Sequence, residues 1–258
     1  MNRARGRSGA FTLIEVMVVL LVITVFVTGL MVPIATQVAL RRYEETRRQM
    51  DEAKEAILGF AAANARLPCP ASATSRGLES FAPGGDALNG RCSNFHDGLL
   101  PGASLGLAPL DAEGYVRDAW GTPANRIRYA VFGSGTSVGG IADPLTRVNG
   151  MQAAGLAALG SAPNYLSICA SGLGTTATSC GAATNHLTRR AAFVLLSLGP
   201  NATLTPNPGS DEARNLDGSR VFVSHEISAA PANEFDDQLT WAPASLVVSR
   251  LLSAGRLP

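Results

Sequence analysis

Lysine is almost missing. Of 21 basic side chains only Lys54 is a lysine, and 20 acidic residues leave a formal charge of +1 over 258 residues. Arg3, Arg5 and Arg7 supply three of the positive charges, so the chain beyond residue 10 carries −2. No basic field remains that would favour a nucleic-acid partner. Histidine is scarce as well. His96, His186 and His225 are scattered, and the four cysteines include no Cys-x-x-Cys pair, which argues against a zinc cluster. Gly133-x-Gly135 lacks the third glycine of a dinucleotide loop. Gly135-Thr136-Ser137-Val138-Gly139 fits G-x-S-x-G, with Asp143 and His225 following in hydrolase order. A nucleophile elbow must lead into a helix, however, and Gly139-Gly140-Ile141-Ala142-Asp143-Pro144 blocks one. No enzyme is expected. A hydrophobic share of 46% excludes a disordered chain, while 27 glycines and 15 prolines indicate many loops.

The most distinctive segment runs from Phe11 to Ala35, nearly all apolar, with Glu15 its one charge. As a helix its 25 residues span about 37 Å, enough to cross a bilayer with some tilt. The run exceeds the 7 to 15 apolar residues of a cleaved secretory signal. The preceding arginines keep the N-terminus cytoplasmic and send the remainder across the membrane. A carboxylate at membrane depth costs about 2.5 to 3.5 kcal/mol, so Glu15 needs a partner. Gly29 and Pro33 lie late in the run, where a proline commonly kinks a helix. Downstream, Leu40, Tyr43, Met50, Ile57 and Ala61 recur at helical spacing. Residues 41 to 55 hold five charges of each sign, including Glu44 and Arg48 at i, i+4. One helix is therefore expected from Phe11 to about Asn64, ended by Leu67-Pro68-Cys69-Pro70.

Gly9-Ala10-Phe11-Thr12-Leu13-Ile14-Glu15-Val16 resembles the prepilin processing site of type IV pilin-like proteins, including type II secretion pseudopilins. The resemblance implies that a prepilin peptidase cuts between Ala10 and Phe11 and methylates the new N-terminal Phe11. Gly is the usual residue before the cut; here Gly9 is followed by Ala10, and a cut after Gly9 would move Glu15 from fifth to sixth place. An ammonium on Phe11 would give Glu15 a counter-charge one helical turn away. As the family implies, that ammonium can belong to an adjacent subunit, and a buried ion pair of this kind sets register.

Beyond Pro70 short apolar runs replace helical periodicity. Strands are expected at Ile127 to Phe132, Ala192 to Leu198, Arg220 to His225 and Gln238 to Trp241, with a helix over Ser245 to Ala254. Gly133 to Asn185 shows no clear element, although a loop of that length usually hides some. Export of this region favours disulfides over free thiols. Sequence-local pairing, Cys69 with Cys92 and Cys169 with Cys180, is the simplest of three connectivities. Asp118-Ala119-Trp120-Gly121-Thr122-Pro123, followed by Tyr129, resembles the D-x-W-G-x-P...Y pattern of pseudopilins, read physically as a turn that delivers an aromatic into the core. Leu196 to Asn201 and Glu234 to Trp241 resemble the end of the major pseudopilin, where a loop binds calcium. That resemblance puts Asp236 and Asp237 at the acidic position, with a solvated acidic turn as the alternative.

The expected fold is α+β and pilin-like, a long N-terminal helix packed on an antiparallel sheet with long loops. Its parts are a leader (1–10), a transmembrane helix (11–35), an amphipathic continuation (36–66) and a periplasmic domain (67–258). The resemblance implies a single-pass protein of the bacterial inner membrane, a minor pseudopilin of a type II secretion system or a minor type IV pilus subunit. Its partners would be other pilin-like subunits, the prepilin peptidase, and an inner-membrane assembly platform with its ATPase. A membrane-anchored monomeric binding or hydrolytic domain is the distant alternative.

Overall fold

The computed structural model describes residues 12–162, 164–230 and 233–257, except for the side chains of 26–35. The chain divides into two units, Met1–Glu44 and Glu45–Pro258. Helix α1 comprises Leu13–Asn64. In the first unit its apolar side chains from Leu13 to Val25 are exposed. Those 13 residues cover about 20 Å against a hydrocarbon core of about 30 Å, and among the described residues no helix is long and apolar enough to cross a membrane. Side chains 26–35, with the expected kink at Pro33, lie outside the described residues. Leu40, expected on the buried stripe, is 57% exposed. Arg48 pairs with Glu45 at 2.9 Å and Glu52 at 3.7 Å rather than with Glu44.

In the second unit the remainder of α1 buries Thr46, Met50, Ala53, Ile57, Leu58 and Ala61. Spacings of three and four put these residues on one face, and the two alanines let the helix approach closely. The helix ends where Ala65 adopts φ +55°, and Arg256 donates to the carbonyls of Ala62 at 3.1 Å and Ala63 at 2.7 Å, two of the acceptors a helix end leaves open. Just beyond, the buried Arg66 grips Glu79 with two bonds of 2.6 and 2.9 Å. Glu79 also accepts from the backbone of Cys69 at 2.7 Å.

Short elements follow: β1 (Gly98–Leu99), α2 (Gly102–Leu105), β2 (Arg128–Val131), β3 (Ser137–Val138), β4 (Ile141–Ala142), α3 (Gly150–Ala154), α4 (Leu156–Ser161) and β5 (Leu166–Cys169). Then come β6 (His186–Ser197), α5 (Asp211–Asn215), β7 (Val221–Val223), β8 (Ser228–Ala230), β9 (Asn233–Phe235), β10 (Gln238–Pro243) and α6 (Ala244–Ser253). Among the described residues, Gly133 to Asn185 thus holds three strands, two short α-helices and a 3-10 turn (Ala183–Asn185), all too short for periodicity to reveal. Ser137 sits in the β3–β4 hairpin, whose turn residues Gly139 and Gly140 have φ +59° and +77°. That is a hairpin turn and not a nucleophile elbow.

The main sheet has six strands in the order β1-β2-β6-β5-β7, with β10 also on β6. It is mixed rather than wholly antiparallel, because β5 and β7 run parallel. The physical reason is the return path: the chain leaves β6, reverses, and enters beside β5, so a strand antiparallel to β6 must be parallel to β5. Tyr129, Val131, Phe193 and Leu195 from the sheet join Met50 and Ile57 of α1 and Val247 and Leu251 of α6 in one core. The rings of Tyr129 and Phe193 lie 6.0 Å apart, and the Tyr129 hydroxyl donates to the Pro68 carbonyl. Cys69–Cys92 and Cys169–Cys180 are both disulfides, as sequence-local pairing anticipates.

Replacing Ile57 by alanine removes a fully buried side chain and should cost about 2 to 5 kcal/mol. Leu40→Ala should stay within about 0.5 kcal/mol. Urea unfolding of the detergent-solubilised full chain measures both; equal losses would contradict the assignment of the buried face.

Candidate functional site

Two regions carry site residues, one in each unit. At the N-terminus, Gly9, Ala10 and Phe11 lie outside the described residues. Thr12 precedes the first turn of α1 and accepts from the Glu15 backbone N–H through its carbonyl at 3.0 Å, with its Oγ1 at 3.4 Å. Thr-x-x-Glu is the sequence of a capping box, which closes a helix start. Glu15 is exposed in that first turn, where the helix macrodipole favours a negative charge.

The second region begins where β6 ends. Gly199 has φ +65°, and a Cβ added there would lie 2.4 Å from Asp236 Oδ1, so this crossing needs glycine. Ser210 caps α5 by accepting from Ala213 N–H at 3.2 Å, which sets Asp211 and Glu212 in its first turn. The turn between β9 and β10 supplies Asp236 and Asp237, anchored by Phe235 in a small second core with Cys169, Cys180, Val221 and Val223. His225 stacks on Phe235 at 3.9 Å and reaches Asp211 Oδ2 at 2.9 Å.

Glu212, Asp236 and Asp237 each bring a carboxylate oxygen within 4.8 Å of the other two, and all three are 5% exposed. The acidic turn is buried rather than solvated. Among the described residues no basic side chain forms an ion pair with any of the three. Their bonds come from neutral donors. Asn201 Nδ2 lies 3.1 Å from both Glu212 oxygens, the Asp236 backbone donates to Glu212 Oε1 at 2.9 Å, and Asn215 Nδ2 donates to Asp237 Oδ2 at 2.8 Å. Asp236 Oδ1 is buried without a hydrogen-bond partner. Asp237 also lines an open cavity of about 700 Å³, shared with Lys54, His225 and Trp241.

The electrostatic consequence is direct. Burial, then the charges of Glu212 and Glu234, push Asp236 up to about 7, although the Asn201 backbone N–H pulls the other way. Burial pushes Asp237 up to about 8 against the hydrogen bond from Asn215, with Glu212 and Asp236 adding to the rise. Asp111 behaves oppositely. Burial raises it, but bonds from Tyr115, Arg126, Arg117 and Glu113 outweigh that and hold it at about 2.

The structure joins the Ser197 to Gly199 strand end to the Asp236–Asp237 pair, 37 residues further along. Sequence reasoning missed Glu212, whose signal was Ser210-Asp211-Glu212, a capping serine before two acids inside a long insertion. The turn Asp118 to Pro123 corrects another expectation. Trp120 is half-buried and outside the core; Asp118 takes the inward position, accepting from Trp120 N–H at 2.9 Å and from Ser197 Oγ at 2.6 Å.

A family model described as a prokaryotic N-terminal methylation motif matches residues 5–31. The motif supports a type IV pilin-like precursor of the kind that a prepilin peptidase processes. Comparison with curated proteins and with solved structures gives no match.

Raised carboxyl pKa values fix the sign of a pH dependence. Between about pH 4 and the folded values near 7 and 8, the folded chain holds protons that the unfolded chain has released. Stability should fall as pH rises through that window and return as it is lowered. Thermal unfolding in chelator from pH 5 to 8 should show a falling midpoint, flatter in Asp237→Asn; equal slopes would contradict the assignment.

Proposed function

We propose that the chain is a prepilin-like precursor that works by assembly rather than catalysis, as a minor pseudopilin of a type II secretion pseudopilus. Residues 1–10 are its leader, 11–35 its inner-membrane anchor and 67–258 its periplasmic domain. The observation that carries this reading is the methylation motif over 5–31, with Glu15 fifth after the expected cut. Cleavage between Ala10 and Phe11 creates an ammonium. Glu15 of a neighbouring subunit recovers its desolvation cost when it meets that charge, which selects one axial register. The assembly platform and ATPase supply the work of extension.

The carboxylate trio supports a pseudopilin over a minor type IV pilus subunit, through the calcium loop that the sequence resemblance implies. The residues present fit a hard divalent cation: three buried carboxylates with no ion-pair partner among the described residues, and one oxygen with no hydrogen bond. Glu212, Asp236 and Asp237 would hold Ca²⁺, which supplies the positive charge that this loop otherwise lacks.

Intact-mass analysis of membrane-extracted protein should find residues 1–10 removed and one methyl group added to Phe11. An unprocessed chain from cells containing a prepilin peptidase would overturn the pilin-like reading. Glu15→Ala should leave cleavage intact yet abolish crosslinks between neighbouring N-terminal helices; unchanged crosslinking removes Glu15 as the register device, and a wild type without crosslinks favours the monomeric anchored domain.

Calcium at 100 times its dissociation constant should stabilise the protein by about 2.7 kcal/mol. Asp237→Ala should erase that gain. A wild-type melting midpoint indifferent to millimolar calcium would remove the cation from the proposal and leave the filament.

A further inference from the structure

The turn from Asp118 to Asn125 does more than start β2. It is closed by an isolated bridge between Arg117 and Arg126. Both arginines are held by the buried Asp111, at 3.1 and 2.8 Å. Within this rigid frame Asn125 is 2% exposed. Its Nδ2 donates to the Gly199 carbonyl at 2.6 Å and to Asp118 Oδ2 at 3.1 Å, while its Oδ1 accepts from Thr122 Oγ1 at 2.6 Å. The orientation of the amide is fixed, because a backbone carbonyl can only accept.

Gly199 lies against Asp236, and two residues later Asn201 reaches Glu212. Pro200 between them restricts the backbone, so a grip on Gly199 propagates along the segment. We propose that Asn125 is a positioning residue for the cation loop. Through Gly199 it sets the distance between the segment bearing Asn201 and the trio of Glu212, Asp236 and Asp237. This inference rests on the calcium reading given above. It assigns a role to the D-x-W-G-x-P turn: the turn is the template against which the loop is assembled, and Asp118 and Thr122 orient the amide that does the gripping.

The test uses the full-length protein in detergent, with Ca²⁺ affinity from calorimetry and the luminescence lifetime of bound Tb³⁺ as the second readout. Asn125→Ala should weaken Ca²⁺ about tenfold, the scale of one lost buried hydrogen bond. It should also shorten the Tb³⁺ lifetime by the equivalent of about one additional coordinated water, which a residue serving only stability would not change. Thr122→Val removes only the orienting hydroxyl and should weaken Ca²⁺ a few-fold in the same direction. If Asn125→Ala does not fold, Thr122→Val decides, and a wild-type affinity there overturns the proposal. Asn125→Ala with a lower melting midpoint but unchanged affinity and lifetime overturns it too, while leaving the cation site standing. A wild-type protein that binds neither Ca²⁺ nor Tb³⁺ removes both.

Discussion

Strand β6 is the constraint on which the second unit depends. Its 12 residues pair with β5 along the first half and with β2 and β10 along the second, and its last seven side chains are all buried. A strand occupied in this way cannot slip by one residue without moving Phe193 and Leu195 to the wrong face. Its register therefore fixes where Ser197 and Gly199 emerge. From that point the position of the acidic loop follows, because Gly199 and Asp236 touch.

The core and the acidic loop answer opposite demands. Under α1 the core is mainly apolar, with Met50, Ala53, Ile57, Leu58 and Ala61 buried. At the end of β6 three carboxylates are withdrawn from water with amide donors and, among the described residues, no basic ion-pair partner. Such an arrangement is costly to fold without a compensating charge.

The long helix, the segments that form β2, β6, β7 and β10, the C-terminal helix and both disulfides were legible in the sequence, for identifiable reasons. Met50, Ile57 and Ala61 repeat at helical spacing, and β-branched or aromatic runs mark the strands. The first half of β6 was not legible, since His186 to Arg190 holds a single large apolar residue, Leu187, although exposure alternates along it. The parallel pairing of β5 with β7 was hidden because it depends on a return path and not on composition. Asp236 and Asp237 were singled out only through the resemblance of Glu234 to Trp241 to the end of the major pseudopilin, and their burial was not legible from two adjacent acids. Glu212 was hidden because only the tertiary structure brings α5 to them, and Trp120 was misplaced because an aromatic in a turn signals burial more strongly than an aspartate does.

Arg256 closes the end of α1 by bonding to Ala62 and Ala63, and Arg250 reaches Glu55 at 2.7 Å, across 195 residues of chain. Contacts this distant in sequence form late. At translation rates of about 5 to 20 residues per second, an interval on the order of 10 to 40 s separates the appearance of the helix from that of its clamp. During that interval the stripe from Met50 to Ala61 has no α6 to cover it. A chaperone or neighbouring chain encountering the nascent protein therefore meets a surface that the finished fold conceals.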